Sequence, residues 1–286
     1  MSLYVETVGS GEPLLMLHGW GMHGGIWNET AAQLAQHFQV HCVDLPGYGR
    51  SRIQDAGFIT SDLESDVCSP GRMASSSIRM PGSGEGLLDK IVNKLSMQFD
   101  EPVSLCGWSL GGQIALRWAM RYPEQVERLV LVTSTPCFAE REDWQFGMPQ
   151  HILQQFAADL EKNHAATLRR FLGLQVRGSE QERELLATLR EFLFSRGEPD
   201  MDALRGGLEI LRDADLRSAL PQIKQTALVI AGERDKLTPP EASYYLAQTM
   251  PNARVVEIKG AAHAPFLSHR DEFVEQVEEF MEDKNN

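Results

Sequence analysis

Ser109 is the side chain in this sequence best suited to nucleophilic chemistry, because of what flanks it. It is the centre of Gly107-Trp108-Ser109-Leu110-Gly111, a G-x-S-x-G pattern directly after the apolar run Val103–Cys106 and directly before the helical run Gln113–Arg121. A strand, a sharp turn and a helix in that order lift a serine above the edge of a sheet. Such a turn strains the backbone at the nucleophile, and side chains at the flanking positions would collide, which glycine avoids. The helix start favours negative charge beside the serine. The chemistry expected is acyl transfer through serine. The plainer reading is a glycine-rich turn that packs a helix on a strand.

A serine hydroxyl needs a base to take its proton, and the base needs a third group to fix its tautomer. In a strand–turn–helix context of this kind the order along the chain is serine, acid, histidine. Of eight histidines, only His263 and His269 lie beyond the last expected strand. His263 stands in the small-residue stretch Gly260-Ala261-Ala262-His263-Ala264-Pro265, which can bring an imidazole over a sheet. His269 opens the final helical pattern and reads as a surface or capping residue. For the acid, the run Ala227–Ala231 ends in Gly232-Glu233-Arg234-Asp235-Lys236-Leu237-Thr238-Pro239. Asp235 is favoured, with Glu233 as its rival and a turn or cap role before Pro239 as the plain alternative.

Cleavage of an ester builds negative charge on the carbonyl oxygen, and preorganised N–H donors stabilise it. One donor is expected from Leu110, the residue after the nucleophile. The other is expected from Trp20, in His18-Gly19-Trp20-Gly21 after the run Leu14–Leu17. The Trp20 indole either lines an acyl pocket or packs the core.

The elements that must position these groups follow from hydrophobic patterning. Leu14–Leu17, Val40–Val43, Val103–Cys106, Leu129–Val132, Ala227–Ala231 and Val255–Ile258 are compact apolar runs of the kind found in strands buried on both faces. Helical patterns alternate with them at Asn28–Gln36, Leu87–Gln98, Gly112–Arg121, Pro240–Met250 and Arg270–Glu282. Alternation predicts an α/β fold, a mostly parallel sheet flanked by helices. Between Cys137 and Arg217 the patterns are helical only: Gln150–Glu161, Ala165–Val176, Glu180–Phe194 and Met201–Arg212. This predicts a core of residues 1–136 and 218–286 with an inserted all-helical cap over 137–217, covering the carboxyl ends of the strands. Phe138 and Trp144 open the cap stretch, and whether they line a pocket is left open. Residues 53–86 are an atypical insertion in the core, with about 14 of 34 residues Gly, Pro or Ser. It reads as a tolerated surface excursion or as a flap at the site entrance.

Bulk composition narrows the class. The chain has 286 residues, 42% hydrophobic and 23% charged, which excludes a disordered chain, a collagen and a coiled coil. The net charge of −13 argues against nucleic acid as a general partner. The start, Met1-Ser2-Leu3-Tyr4-Val5-Glu6, lacks the basic and apolar regions of a signal peptide, and the apolar runs are too short to span a bilayer. Cys42, Cys68, Cys106 and Cys137 show no metal-ligand spacing, and Cys42 and Cys106 read as buried free thiols. A cytoplasmic protein with no metal, no cofactor and no membrane association is expected.

The whole pattern resembles the α/β-hydrolase superfamily. Within it the chain resembles the pimeloyl-[acyl-carrier protein] methyl ester esterases of biotin synthesis. The matching stretches are Leu17-His18-Gly19-Trp20-Gly21, Val43 to Ser51, Gly107–Gly112, Pro136-Cys137-Phe138, Phe171-Leu172-Gly173-Leu174-Gln175, Gly206 to Leu211, and Ala261–Phe266 with Ser268-His269. The cap stretches discriminate most. Residues 53–86 depart from the family, being longer than its usual connection by roughly 25 residues.

The resemblance implies that Ser109, Asp235 and His263 form the triad and that Trp20 and Leu110 form the oxyanion hole. It also implies that Phe171, Leu172, Gly173, Leu174 and Gln175 line the acyl channel, so that these five with Trp20, Ser109, Leu110 and His263 bind substrate. The implied partner is acyl carrier protein bearing a pimeloyl methyl ester, and the implied products are methanol and the free carboxylate. Such a carrier is acidic. Residues 161–190 hold six basic and four acidic residues, a balance of +2 that leaves the rest of the chain at −15. Arg169, Arg170, Arg177 and Arg183 are therefore candidate docking residues, unless they form i,i+4 pairs on a solvated helix face. A monomer is expected. A broad short-chain carboxylesterase or thioesterase, and a non-catalytic ligand-binding protein on the same scaffold, are the competing readings.

Overall fold

The computed structural model describes residues 3–52 and 86–283; the insertion expected at 53–86 lies outside the described residues except for Gly86. The chain begins with β1 (Val5–Val8), β2 (Glu12–Leu17), α1 (Asn28–Leu34) and β3 (Phe38–Val43). It continues with α2 (Leu87–Ser96), β4 (Val103–Trp108), α3 (Leu110–Arg121) and β5 (Val126–Val132). Four helices follow: α4 (Gln150–Lys162), α5 (His164–Val176), α6 (Glu182–Leu193) and α7 (Met201–Asp213). The chain then forms β6 (Thr226–Gly232), α8 (Pro240–Thr249), β7 (Ala253–Ile258), α9 (Pro265–Ser268) and α10 (Arg270–Glu282).

The seven strands make one sheet in the order β1-β3-β2-β4-β5-β6-β7. All neighbours are parallel except β1 on β3. All six residues of β4 are buried, as its unbroken apolar run requires of a central strand covered on both faces. The order reverses between β2 and β4, the place where open α/β sheets form a crevice at the strand ends. Patterning finds six of the seven strands and misses β1. Val5-Glu6-Thr7-Val8 is half exposed at the sheet edge and mixes polar with apolar residues, so it shows no continuous run.

The chain leaves the sheet after β5 and returns before β6 at a shared point: Cys137 bridges Asp215, and the Leu216 N–H donates to the Pro136 carbonyl at 2.9 Å. The helices α4 to α7 lie between these points. Local capping marks their starts: Asn163 accepts from the Ala166 N–H at 3.0 Å and Asp200 from the Asp202 N–H at 2.9 Å. Helix α7 is seated on core side chains, because the Trp20 indole donates to the Leu204 carbonyl at 2.9 Å and the Tyr48 hydroxyl to the Ala203 carbonyl at 3.0 Å. A buried ion pair adds to this: Arg196, between α6 and α7, reaches the wholly buried Asp44 at 3.0 Å and also pairs with Glu6.

Candidate active site

Strand β4 ends at Trp108 and helix α3 begins at Leu110, so Ser109 alone makes the turn. Its φ of 56° and ψ of −116° place a non-glycine residue in a sparsely populated region. The flanking residues explain how the turn closes. A Cβ on Gly107 would lie 2.4 Å from the Gly111 carbonyl, and one on Gly111 would lie 2.3 Å from the Leu17 carbonyl. The main chain of Ser109 is pinned on both sides: its N–H donates to the Val132 carbonyl at 3.0 Å, and its carbonyl accepts from the Ser134 hydroxyl at 2.9 Å.

His263 lies in the loop between β7 and α9 and is 1% exposed. Its Nδ1 stands 2.8 Å from Asp235 Oδ2, and its Nε2 is buried with no hydrogen-bond partner among the described residues. A carboxylate on Nδ1 fixes the proton there and leaves Nε2 basic. Asp235 lies in the loop after β6 and is 2% exposed. Its Oδ1 accepts the N–H groups of Leu237 at 2.8 Å and Thr238 at 3.1 Å, so the loop geometry itself orients the carboxylate. The rivals stand elsewhere: Glu233 accepts from the Gly260 N–H at 2.8 Å and faces solvent at 41% exposure, while His269 occupies the N-cap position of α10 without a side-chain capping bond, its Nδ1 2.8 Å from the Ser268 hydroxyl.

His263 is tied to the turn at Ser109 through the main chain. Trp108 donates its indole N–H to the His263 carbonyl at 2.7 Å, and the Thr133 hydroxyl donates to the same carbonyl at 2.7 Å. The His263 N–H donates to the Gln175 carbonyl of α5 at 3.0 Å. Three elements therefore hold one loop.

The segment after β2 passes directly beside Ser109, since a Cβ on Gly19 would stand 3.3 Å from the Ser109 Cβ. Among the described residues neither the Trp20 nor the Leu110 amide donates to an acceptor, which leaves two N–H groups free near the turn. His18 holds this segment: its Nε2 accepts the Leu45 N–H at 3.0 Å and its Nδ1 lies 2.8 Å from the Gly19 carbonyl. Burial pushes the His18 imidazole down to about 4, so the ring stays neutral.

Of the cap residues singled out in the sequence, Phe171 meets the Trp20 ring edge to face at 4.9 Å. Leu172 is buried, Leu174 packs partly buried against the core, and among the described residues a Cβ built on Gly173 meets nothing within 4 Å apart from its chain neighbours and its own helix backbone. Gln175 is buried, and its Oε1 has no partner among the described residues. Trp144 belongs to a separate cluster with Cys137, Ala242 and Tyr245, whereas Phe138 joins the main core. The four candidate docking arginines are exposed. Two are engaged: Arg170 pairs with Asp159 at 2.7 Å and lies over Phe156, and Arg169 lies over Phe194. Arg177 and Arg183 have no ion pair among the described residues.

Sequence reasoning misses Thr133 and Thr238, although Thr238 stands three residues after Asp235 in a loop already singled out. It also misses Trp108 as a main-chain anchor and Arg196 as a buried cation. Among the described residues no group of three or more His, Cys, Asp or Glu could hold a metal, and no helix is long and apolar enough to cross a membrane.

Residues 12–270 match the family model described as alpha/beta hydrolase fold. The pimeloyl-[acyl-carrier protein] methyl ester esterase of Nitrosospira multiformis is 38% identical over 280 residues, covering 98% of each chain. That of Nitrosomonas europaea is 42% identical over 274 residues, covering 96% of this chain and 97% of its own. Among solved structures, an esterase from Exiguobacterium antarcticum superposes with a TM-score of 0.78 at 23% identity, over 97% of this chain and 94% of that one.

Proposed function

The chain belongs to the α/β-hydrolase family, in its group of pimeloyl-[acyl-carrier protein] methyl ester esterases, and from that premise we propose how this ester hydrolase works on a carrier-bound ester. The substrate is the methyl ester of a pimeloyl chain on acyl carrier protein. The products are methanol and the pimeloyl carrier with a free carboxylate, a step in biotin synthesis. The supporting observation is the arrangement of His263: Nδ1 on Asp235 at 2.8 Å, Nε2 unpartnered, and its carbonyl held by the residue before Ser109.

His263 Nε2 takes the Ser109 proton as Oγ attacks the ester carbonyl. The tetrahedral oxygen accepts hydrogen bonds from the Leu110 and Trp20 amides. The carbonyl re-forms as the C–O bond to the methoxy group breaks, and His263 returns the proton so that methanol leaves. Water then attacks the acyl-serine with His263 again as base, and Ser109 regains its proton as the acid is released. Asp235 keeps the imidazole oriented and stabilises it when charged. Among the described residues His263 Nε2 has no hydrogen-bond partner, and serine–histidine bonds of this kind tighten in the substrate complex.

Residues 137–217 act as a cap whose α5 wall, from Phe171 to Gln175, faces the acyl chain together with Trp20. Its exposed Arg177 and Arg183 are the docking residues that fit an acidic carrier best, with Arg169 and Arg170 contributing around them. The free thiols Cys42, Cys106 and Cys137 suit a cytoplasmic site of action. The test is a comparison of kcat/KM for the carrier-bound pimeloyl methyl ester with that for a short free ester. Preference for the carrier-bound substrate supports the proposal. Preference for the short ester points instead to a broad carboxylesterase, and absence of an acyl-enzyme burst with any activated ester points to a non-catalytic role.

A further inference from the structure

The acid and the base carry contacts that the triad chemistry does not use. The Thr238 hydroxyl, buried in the loop after β6, stands 2.7 Å from Asp235 Oδ2, 3.2 Å from His263 Nδ1 and 2.9 Å from the Thr133 carbonyl. A hydroxyl has one proton and two lone pairs. Here it meets two acceptors, the carboxylate oxygen and the Thr133 carbonyl, and one donor, the imidazole N–H. It can therefore donate to either acceptor while presenting a lone pair to the imidazole.

Thr133 is the matching piece on the sheet. It sits just past the end of β5, wholly buried, with φ at 39°, in a region that disfavours a β-branched residue. That conformation turns three groups to three neighbours. The N–H donates to the Ile230 carbonyl of β6 at 2.8 Å, the carbonyl stands 2.9 Å from the Thr238 hydroxyl as one of its two acceptors, and the hydroxyl donates to the His263 carbonyl. The acid loop and the base loop, which leave different strands, are thus joined through one residue pair.

We propose that Thr238, anchored on Thr133, is a positioning residue that holds the Asp235 carboxylate and the His263 imidazole in register for proton transfer. This rests on the triad assigned above. The carboxylate then has three donors, two amides on Oδ1 and the imidazole on Oδ2, and gains a fourth when the single Thr238 proton turns from the Thr133 carbonyl to Oδ2, the shorter of its two contacts. With the hydroxyl gone, Oδ2 keeps only the imidazole and is free to swing with it, so the cost falls on kcat rather than on substrate binding.

The test measures kcat and KM for Thr238→Val, Thr238→Ser and Thr238→Ala, with thermal midpoints, beside Ser109→Ala. Valine keeps the shape and removes the hydroxyl. The expected result is a loss of about tenfold or more in kcat for Val and Ala, KM within about twofold, and recovery to within about threefold for Ser. If Val fails to fold, Ala against Ser gives the same comparison. A Val or Ala enzyme with wild-type kcat beside an inactive Ser109→Ala enzyme overturns this proposal alone. So does a Ser enzyme as impaired as Ala. An active Ser109→Ala enzyme overturns the triad and this proposal with it.

Discussion

The indole of Trp108 donates to the main-chain oxygen of His263 at 2.7 Å, joining residues 155 positions apart in the chain. The residue that precedes Ser109 thereby holds the loop that carries His263. In the proposed mechanism proton transfer depends on close placement of Ser109 and His263, so this bond should reach the chemistry without touching substrate.

Trp108→Phe keeps most of the ring volume and removes the donor. Thr133 still donates to the His263 carbonyl, so the group is weakened rather than orphaned. Stability should fall by about 1–3 kcal/mol and kcat by about tenfold. Urea denaturation and steady-state kinetics measure the two effects. Unchanged kcat would mean that Thr133 alone suffices.

The α4–α7 helices should loosen from the sheet when the buried cation between α6 and α7 is removed. Arg196 is 7% exposed at its side chain and Asp44 is 0% exposed, and the two lie 3.0 Å apart. Among the described residues, Arg196→Met leaves Asp44 with only the amides of Gly24 and Arg50. A buried pair broken on one side costs about 3–5 kcal/mol, which a urea midpoint reads directly. A shift near zero would show that the pair merely offsets its own desolvation.

Stability should fall between pH 6.5 and 4. Burial holds the His18 imidazole at about 4, below its ordinary value of 6.5, and also lowers His23. In that window the unfolded chain binds protons that the folded chain refuses, so stability is full above pH 6.5 and declines as pH drops toward 4. His18 alone accounts for up to about 3 kcal/mol. Denaturant titrations at pH 7, 5.5 and 4.5 measure the slope, and equal midpoints would contradict it.

Reversing the charge of Arg177 and Arg183 should lower kcat/KM for the carrier-bound ester by about tenfold while sparing a short free ester, because the effect lies in encounter with an acidic partner. Arg170→Glu also loses its bond to Asp159, so it should additionally lower the melting temperature. Equal losses on both substrates would count against docking at this face.

Much of this architecture is legible from residue order. Continuous apolar runs such as Val103–Cys106 mark strands buried on both faces, and the glycines around Ser109 mark a turn too tight for side chains. Strand β1 is not legible, since a half-exposed edge strand has no unbroken apolar face. Asp235 and Glu233 cannot be told apart by position: both stand just past β6, and only the fold shows that one is buried on His263 while the other faces solvent. Thr133 and Thr238 escape for another reason. A threonine is ordinary at a strand end or in a turn, and its role depends on partners 105 and 130 residues away.

The most direct test of the central claim is methanol release from pimeloyl-[acyl-carrier protein] methyl ester by the wild-type and Ser109→Ala enzymes. Catalysis through Ser109 predicts release by the wild type and a loss on the order of 10³–10⁶ in kcat for the variant, with substrate binding retained. Release by Ser109→Ala within tenfold of wild type would contradict it.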